Sequence, residues 1–257
     1  MMVLRCRVEH NLENALLPLF ERENFMCTEM KIAVLQSNYL PWYGYFKIIS
    51  EVDLFIFFDI TQYTKNDWRN RNRILVNNSP FWLTIPVGDN INRKIKEVQL
   101  PSGTWRNKHI KSMTYAYSKA PYFHLIDKYI LPIIDDMSIH TLSELNQNLV
   151  TSVSRNIFEL QADFHSLTED RVYENPSKRI AQIVKSFGGS TYVSGPSASN
   201  YLNPNDFKDA KIHLNYTNYG NLASKSSGTS AEDTMLSIVH GIAWHGRNAL
   251  RAIGELE

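Results

Sequence analysis

Two short and wholly apolar runs near the start of the chain do most to limit what it can fold into. Residues 32–35 and 54–58 contain no polar side chain, so each is predicted to be a strand buried on both faces. Between them, residues 42–51 show the apolar spacing of a short helix, and Pro41 suits its first turn. A strand, a helix and a second strand in this order predict a parallel pair.

The remaining patterns extend this unit into an α/β fold. The predicted fold class is a mainly parallel sheet with flanking helices and an inserted helical segment at about residues 104–160. A hairpin is predicted around the Asn/Ser/Pro turn at residues 77–80. Further strands are predicted at residues 95–100, 191–193 and 212–216, and helices at residues 123–134, 142–160, 177–187 and 231–247. The Ser/Gly/Asn-rich residues 220–230 are predicted to be a mobile loop.

The chain is predicted to be a single domain, residues 30–257, preceded by an N-terminal extension, residues 1–29. Met30 falls directly before the first strand, and the preceding stretch lacks the continuous apolar core of a secretory signal. We interpret residues 1–29 as a dispensable extension or an upstream start, although residues 11–25 also fit a short amphipathic helix. No linker within residues 30–257 is long enough to require a second domain.

Charge and cysteine content restrict the partners and the compartment. The formal net charge is +1, with 27 basic and 26 acidic residues, so no global field favours nucleic acid or an anionic membrane. Both cysteines, Cys6 and Cys27, precede the predicted domain, and neither cysteine nor histidine spacing indicates a metal site. No apolar run approaches the roughly 18 residues of a membrane span. The chain is predicted to be cytoplasmic, and no cofactor or oligomeric state is indicated.

Polar and aromatic side chains follow the first strand, at the edge where open parallel sheets bind their ligands. They are Gln36, Asn38, Tyr39 and Trp42. Amide groups in this position can hydrogen-bond to hydroxyls, and the rings can stack on a sugar or a base. The same residues also fit a polar turn that caps a helix, with Trp42 buried.

A second cluster follows the second strand. It contains Asp59, Gln62, Trp68, Asn70, Arg71 and Arg73. An acid at a strand end is a frequent general base, although many such acids only hold a loop by hydrogen bonds. The arginines at 69, 71 and 73 alternate, so an extended backbone places them on one face and the intervening asparagines on the other. The guanidinium groups suit a phosphate or a carboxylate, and they also fit a solvated edge strand.

A third cluster follows the strand at residues 191–193. It contains Ser194, Gly195 and Tyr201. Backbone N–H groups of the Ser-Gly-Pro sequence can bind an anion, and a plain turn explains the sequence equally well. The stretch lacks the Gly-Xaa-Ser-Xaa-Gly context of a nucleophile elbow, so it does not indicate a catalytic serine.

Four segments in the same order resemble the WbqC-like family, whose members occur in bacterial O-antigen and polysaccharide gene clusters. They are QSNYLPWYGYF (36–46), WRNRNRI (68–74), WLTIPV (82–87) and YVSGP (192–196). The resemblance runs from Met30 to about residue 216 and is loose at residues 225–246. It implies a role in surface-polysaccharide biosynthesis, with transfer of a glycyl, other aminoacyl or acyl group to a nucleotide-linked amino sugar.

Such a transfer needs a base for the amine proton and donors for the developing oxyanion. With the resemblance, Asp59 is expected to be the base, and Asn70 with Arg71 or Arg73 to stabilise anionic charge. Substrate binding is expected at Gln36, Asn38, Tyr39, Trp42, Gln62, Trp68, Arg73, Ser194, Gly195 and Tyr201. Two alternatives are a non-catalytic sugar- or nucleotide-binding accessory protein and a nucleotidyltransferase-like enzyme, although the His-Xaa-Gly-His motif of the latter class is missing.

Overall fold

The computed structural model describes residues 29–168, 175–219 and 236–254. Its strands are β1 (Lys31–Leu35), β2 (Leu54–Phe57), β3 (Arg71–Val76), β4 (Ser79–Thr84), β5 (Asp163–Ser166), β6 (Thr191–Ser194) and β7 (His213–Tyr216). Its helices are α1 (Tyr43–Ser50), α2 (Trp105–Tyr117), α3 (Phe123–Tyr129), α4 (Leu131–Asp135), α5 (Leu142–Ser152), α6 (Pro176–Ser186), α7 (Pro204–Asp209), α8 (Ile238–His245) and α9 (Ala249–Gly254). No helix within these ranges is both long enough and apolar enough to cross a membrane.

Five strands form one parallel sheet in the order β5-β2-β1-β6-β7. The chain runs outward from β1 through β2 to β5, and then crosses to the other side of β1 for β6 and β7. Open α/β sheets leave a ligand-binding crevice where the strand order reverses, outside the carboxyl ends of the strands. Here that crevice lies between the ends of β1 and β6. The predicted α/β class is confirmed.

The central strands are covered on both faces, as the absence of polar residues predicts. Ala33 of β1 and Phe55 of β2 pack into a large core with α1 and the inserted helices. Ile32 and Val34 face the opposite way and pack against α6 and α7. Adjacent residues of one strand therefore contribute to two separate cores.

The hairpin and the inserted helices complete the fold. β3 and β4 pair antiparallel, with Arg73 opposite Trp82. Asn77 and Asn78 both have positive φ and make the two-residue turn, a conformation that asparagine tolerates better than most residues. The inserted segment contains α2 to α5 and ends in a π-helical turn, Val153–Ile157.

Three predicted elements differ in the structure. Residues 95–100 form a 3-10 turn at Ile95–Glu97 instead of a strand, because Ile95 and Val98 are buried three residues apart. Residues 123–134 form two helices, which meet at Ile130 ahead of the proline in the first turn of α4. The long helix predicted at residues 142–160 ends its regular part at Ser152.

Other predictions fall partly or wholly outside the described residues. The last predicted helix begins at Ile238, where Ser237 caps it by accepting from the Val239 N–H. Residues 231–235 of that prediction, the loop predicted at 220–230 and residues 1–28 of the N-terminal extension are not among the described residues. β5 and α7 were not predicted. β5 is a polar edge strand with little burial, so it has no apolar run.

Candidate functional site

A buried carboxylate lies just beyond the carboxyl end of β2. Asp59 is 2% exposed, and its Oδ1 accepts from the backbone N–H of Ser37 at 2.8 Å. Its Oδ2 accepts from the Ser143 hydroxyl and from the Gln147 side-chain amide, the latter at 2.9 Å. Among the described residues no cation forms an ion pair with Asp59. Its hydrogen-bond partners are therefore all neutral.

Helix α5 provides two of these donors because of its spacing. Ser143 and Gln147 are four residues apart and lie on one helix face, with the Gln147 amide 2.8 Å from the Ser143 hydroxyl. The Gln147 carbonyl oxygen accepts from the Ser166 hydroxyl at the end of β5. The helix begins after Thr141, whose hydroxyl caps it by accepting from the Glu144 N–H at 3.2 Å. We call Asp59, Ser37, Ser143, Gln147 and Ser166 the Asp59 network.

The Asp59 network opens into a cavity of about 240 Å³. Asp59, Ser143, Gln147 and Ser166 line it together with Lys96, whose ammonium group donates to the Thr168 carbonyl at 2.9 Å. Pockets for drug-sized ligands have volumes of roughly 300 to 1,000 Å³. The cavity is smaller than these and suits a group the size of one sugar ring.

The loop after β1 is fixed by side chains on both sides. The Gln36 amide donates to the Thr61 hydroxyl at 2.6 Å, and Asn38 is partly exposed. Tyr39 is fully buried, with its hydroxyl 2.8 Å from His109 Nδ1 on α2. The Tyr39 ring face is therefore enclosed by protein and not open to a stacked ligand.

His109 has a defined tautomer. Its Nε2 lies 3.2 Å from the Thr84 carbonyl, which can only accept, so Nε2 carries the proton and Nδ1 accepts from Tyr39. Burial lowers the pKa of His109 to about 4, against which the hydrogen bond to Thr84 acts weakly. Burial also raises the pKa of Tyr39. At neutral pH both groups are uncharged.

The alternation predicted for residues 69–73 is confirmed, with the asparagines inside and the arginines on the partly exposed face. Asn72 donates to the carbonyl oxygens of Leu40 at 2.7 Å and Tyr39 at 3.3 Å. Asn70 donates to the Ile85 carbonyl at 2.9 Å, while its Oδ1 is buried without a hydrogen-bond partner in the described structure. Both asparagines join the hairpin to neighbouring loops.

The arginines stack on an exposed tryptophan. The guanidinium carbon of Arg71 lies 4.3 Å from the centroid of the Trp82 ring, and that of Arg73 lies 5.3 Å from it. The Trp68 ring is 5.9 Å from Trp82, and Trp82 is 41% exposed. Each cation over a tryptophan face is attracted by the quadrupole of the ring. We call Arg71, Arg73, Trp68 and Trp82 the hairpin platform.

The third predicted cluster lies at the crevice between β1 and β6. A Cβ atom on Gly195 would lie 2.8 Å from the Tyr219 hydroxyl, so glycine permits this close approach. The Tyr219 ring meets Trp42 edge-on at 5.1 Å. Ser194 is buried and its Oγ lies 3.3 Å from the Tyr192 hydroxyl. Tyr201, in contrast, is 67% exposed just after a 3-10 turn.

Of the residues expected to act together in catalysis, one lines this cavity. Asp59 lines the cavity, whereas Asn70 and Arg71 do not. Gln62 is exposed, with its amide donating to the Ile91 carbonyl at 3.2 Å. Ser37, Ser143, Gln147, Ser166 and Lys96 were not predicted as site residues. The four-residue spacing of Ser143 and Gln147 is the one signal in the sequence that indicates a shared polar face.

A five-stranded parallel sheet flanked by helices, with a buried polar network beyond the end of β2, defines an α/β protein. The chain matches the WbqC-like protein family over residues 36–252 and belongs to that family. The match extends beyond residue 216, where the resemblance seen in the sequence weakens, and it includes α8.

A relative supports the same assignment. The chain is 33% identical over 191 residues to the uncharacterized protein Rv1507c of Mycobacterium tuberculosis (strain ATCC 25618 / H37Rv). The alignment covers 74% of this chain and 82% of that protein. No solved structure gives a significant match.

Proposed function

We propose that this protein transfers an acyl or aminoacyl group, such as glycyl, to the amine of a nucleotide-linked amino sugar during surface-polysaccharide (O-antigen) biosynthesis. The observation that supports it most is the state of Asp59, a buried carboxylate that lines a sugar-sized cavity. A carboxylate offers about four acceptor positions, and Ser37, Ser143 and Gln147 take three. The remaining acceptor position is on Oδ1, and within this proposal it accepts an N–H of the substrate amine.

The open position suits the removal of a proton from the substrate amine. The amine nitrogen attacks the carbonyl carbon of an activated acyl ester or thioester, so a C–N bond forms and the bond to the leaving oxygen or sulfur breaks. The amine proton passes to Asp59, which then returns it to the leaving group. Three fixed donors hold the carboxylate in one orientation throughout.

The developing oxyanion needs a donor in the same cavity. Asn70 and Arg71, the residues expected for this role, do not line it. Lys96 does, and an ammonium group has three N–H donors, of which the Thr168 carbonyl takes one. We assign oxyanion stabilisation to Lys96 within this proposal.

Turnover with a matched pair of variants tests the proposal. Nucleotide-linked amino sugars are incubated with acyl and aminoacyl esters and thioesters, and mass spectrometry detects the amide product. Asp59→Asn is expected to lower the rate about 10²- to 10⁴-fold, the usual contribution of a general base. Asp53→Asn changes the same residue type at the other end of β2, where it is exposed, and is expected to retain the wild-type rate.

Two outcomes contradict the proposal. Equal turnover by wild type and Asp59→Asn would show that Asp59 is not the general base. Binding of a nucleotide sugar without amide formation from any donor identifies a non-catalytic accessory protein instead. Unfolding curves for both variants separate a loss of chemistry from a loss of folding.

A further inference from the structure

A second cleft lies between β4 and the first turns of α2, and it shares no lining residue with the cavity at Asp59. Its volume is about 380 Å³, which is within the range of sites for drug-sized ligands. Phe81 and Trp82, neighbours on β4, both line it and are 46% and 41% exposed. Large aromatic rings that stay exposed in a concave site are available to stack on a ligand.

The opposite wall of the cleft favours an anion. Lys108 of α2 lines it, and none of the described residues around the cleft is acidic. Ser102, Thr104 and Trp105 also line it, so the N-terminus of this 13-residue helix opens there. Thr104 makes no side-chain cap and the first turn has no acid, which leaves the positive end of the helix dipole uncompensated.

The hairpin adds further positive charge beside the aromatic wall. Arg71 and Arg73 lie against Trp82, on a strand that borders the cleft through β4. His109 also lines the cleft, but both of its ring nitrogens are engaged, by Tyr39 and Thr84. Recognition of an anion is therefore assigned to Lys108 and the N-terminus of α2.

We propose that this cleft binds a nucleoside phosphate, with the base against Trp82 and the phosphate at Lys108 and the start of α2. The aromatic side chain suits a planar ring, and Lys108 with the N-terminus of α2 suits an anion. A nucleoside phosphate contains both groups. This proposal rests on the proposed function in one respect only, which is the molecule that carries the nucleotide. That source is either the nucleotide end of the sugar acceptor or a nucleotide-bearing thioester donor.

Calorimetric titration with UDP and ADP tests the site on the full chain. Trp82→Ala and Lys108→Ala are each expected to weaken binding at least tenfold. Trp244→Ala, on an exposed tryptophan of α8, and Lys111→Ala, on an exposed lysine of α2 outside the cleft, are the matched controls. Both controls are expected to stay within twofold of wild type. Unfolding midpoints check that every variant is folded.

Titrations with fragments of UDP, and competition experiments, complete the test. Uridine and inorganic diphosphate are each expected to bind more weakly than UDP. Equal affinities for Lys108→Ala and Lys111→Ala, or binding of diphosphate as tight as that of UDP, overturn the proposal. Displacement of the nucleotide sugar by UDP assigns the site to the acceptor, and displacement of the thioester alone assigns it to the donor. Nucleotide binding without turnover overturns the proposed function but leaves this site in place.

Discussion

The Asp59 network and the hairpin platform come from one short stretch of chain, yet they hold charge in opposite ways. Asp59 is buried and accepts three hydrogen bonds from neutral donors. Arg71 and Arg73 are partly exposed and lie over the ring of Trp82. One region fixes an anion inside the protein, and the other presents cations and aromatic rings at the surface.

The buried region suits chemistry, and the exposed region suits ligand binding. Burying a carboxylate costs free energy unless hydrogen bonds replace its water, so the Asp59 network stabilises a single orientation of the group. Catalysis requires that kind of fixed geometry. The hairpin platform keeps its rings accessible, which allows a ligand to bind and leave. His109 links segments that adjoin the two regions, because it bonds to Tyr39, two residues after Ser37, and to Thr84, two residues after Trp82.

The largest predicted effect is a loss of stability at acidic pH, where His109 becomes protonated. The folded pKa of His109 is about 4, below the unfolded value of about 6.5. The unfolded state therefore binds more protons between these values, and the free energy of unfolding falls as pH falls through this window. At roughly 1.4 kcal/mol per pKa unit, the loss by pH 4 is about 3 kcal/mol.

Chemical denaturation at pH 7 and pH 4 measures this loss. His109→Gln is expected to lose less stability between the two pH values than wild type does, because it removes the buried titrating group. His124→Gln changes an exposed histidine of α3 and is the matched control. Identical pH dependence in wild type and His109→Gln would show that His109 does not link the two regions as described.

A smaller effect on stability is expected from substitutions in the hairpin, and it differs between the buried and the exposed side. Asn72→Ala leaves the buried carbonyl groups of Leu40 and Tyr39 without their donor, and is expected to destabilise the fold by about 2 kcal/mol. Trp82→Ala, on the opposing strand, is expected to cost less, about 1 kcal/mol, because 41% of the residue is exposed. Equal losses in urea unfolding would mean that the hairpin platform is part of the core.

Much of the fold was predictable, because it follows from local patterns. The apolar runs of β1 and β2 require burial on both faces, and Asp59 follows such a run at the edge where parallel sheets bind ligands. The polar edge strand β5 has no such run. Its place next to β2 is set by the sheet as a whole, and this placement brings Ser166 to Gln147.

The candidate site was less predictable than the fold. The apolar stripe of α5 predicts a core helix, but Ser143 and Gln147 become donors only because the tertiary structure packs α5 over Asp59. Tyr39 has the same sequence signal whether its ring stacks on a ligand or is buried. Its partner His109 lies 70 residues away, so no local pattern decides between the two.

The central claim is that the open acceptor position on Asp59 receives the amine of a sugar substrate. Calorimetry tests it most directly with two nucleotide sugars that differ only in an amino group or a hydrogen at the same carbon. Wild type and Asp53→Asn are expected to prefer the amino sugar by about tenfold or more, since a hydrogen bond to a charged group contributes about 1.5 to 3 kcal/mol. Asp59→Asn is expected to lose this preference. The same preference in wild type and Asp59→Asn would contradict the account.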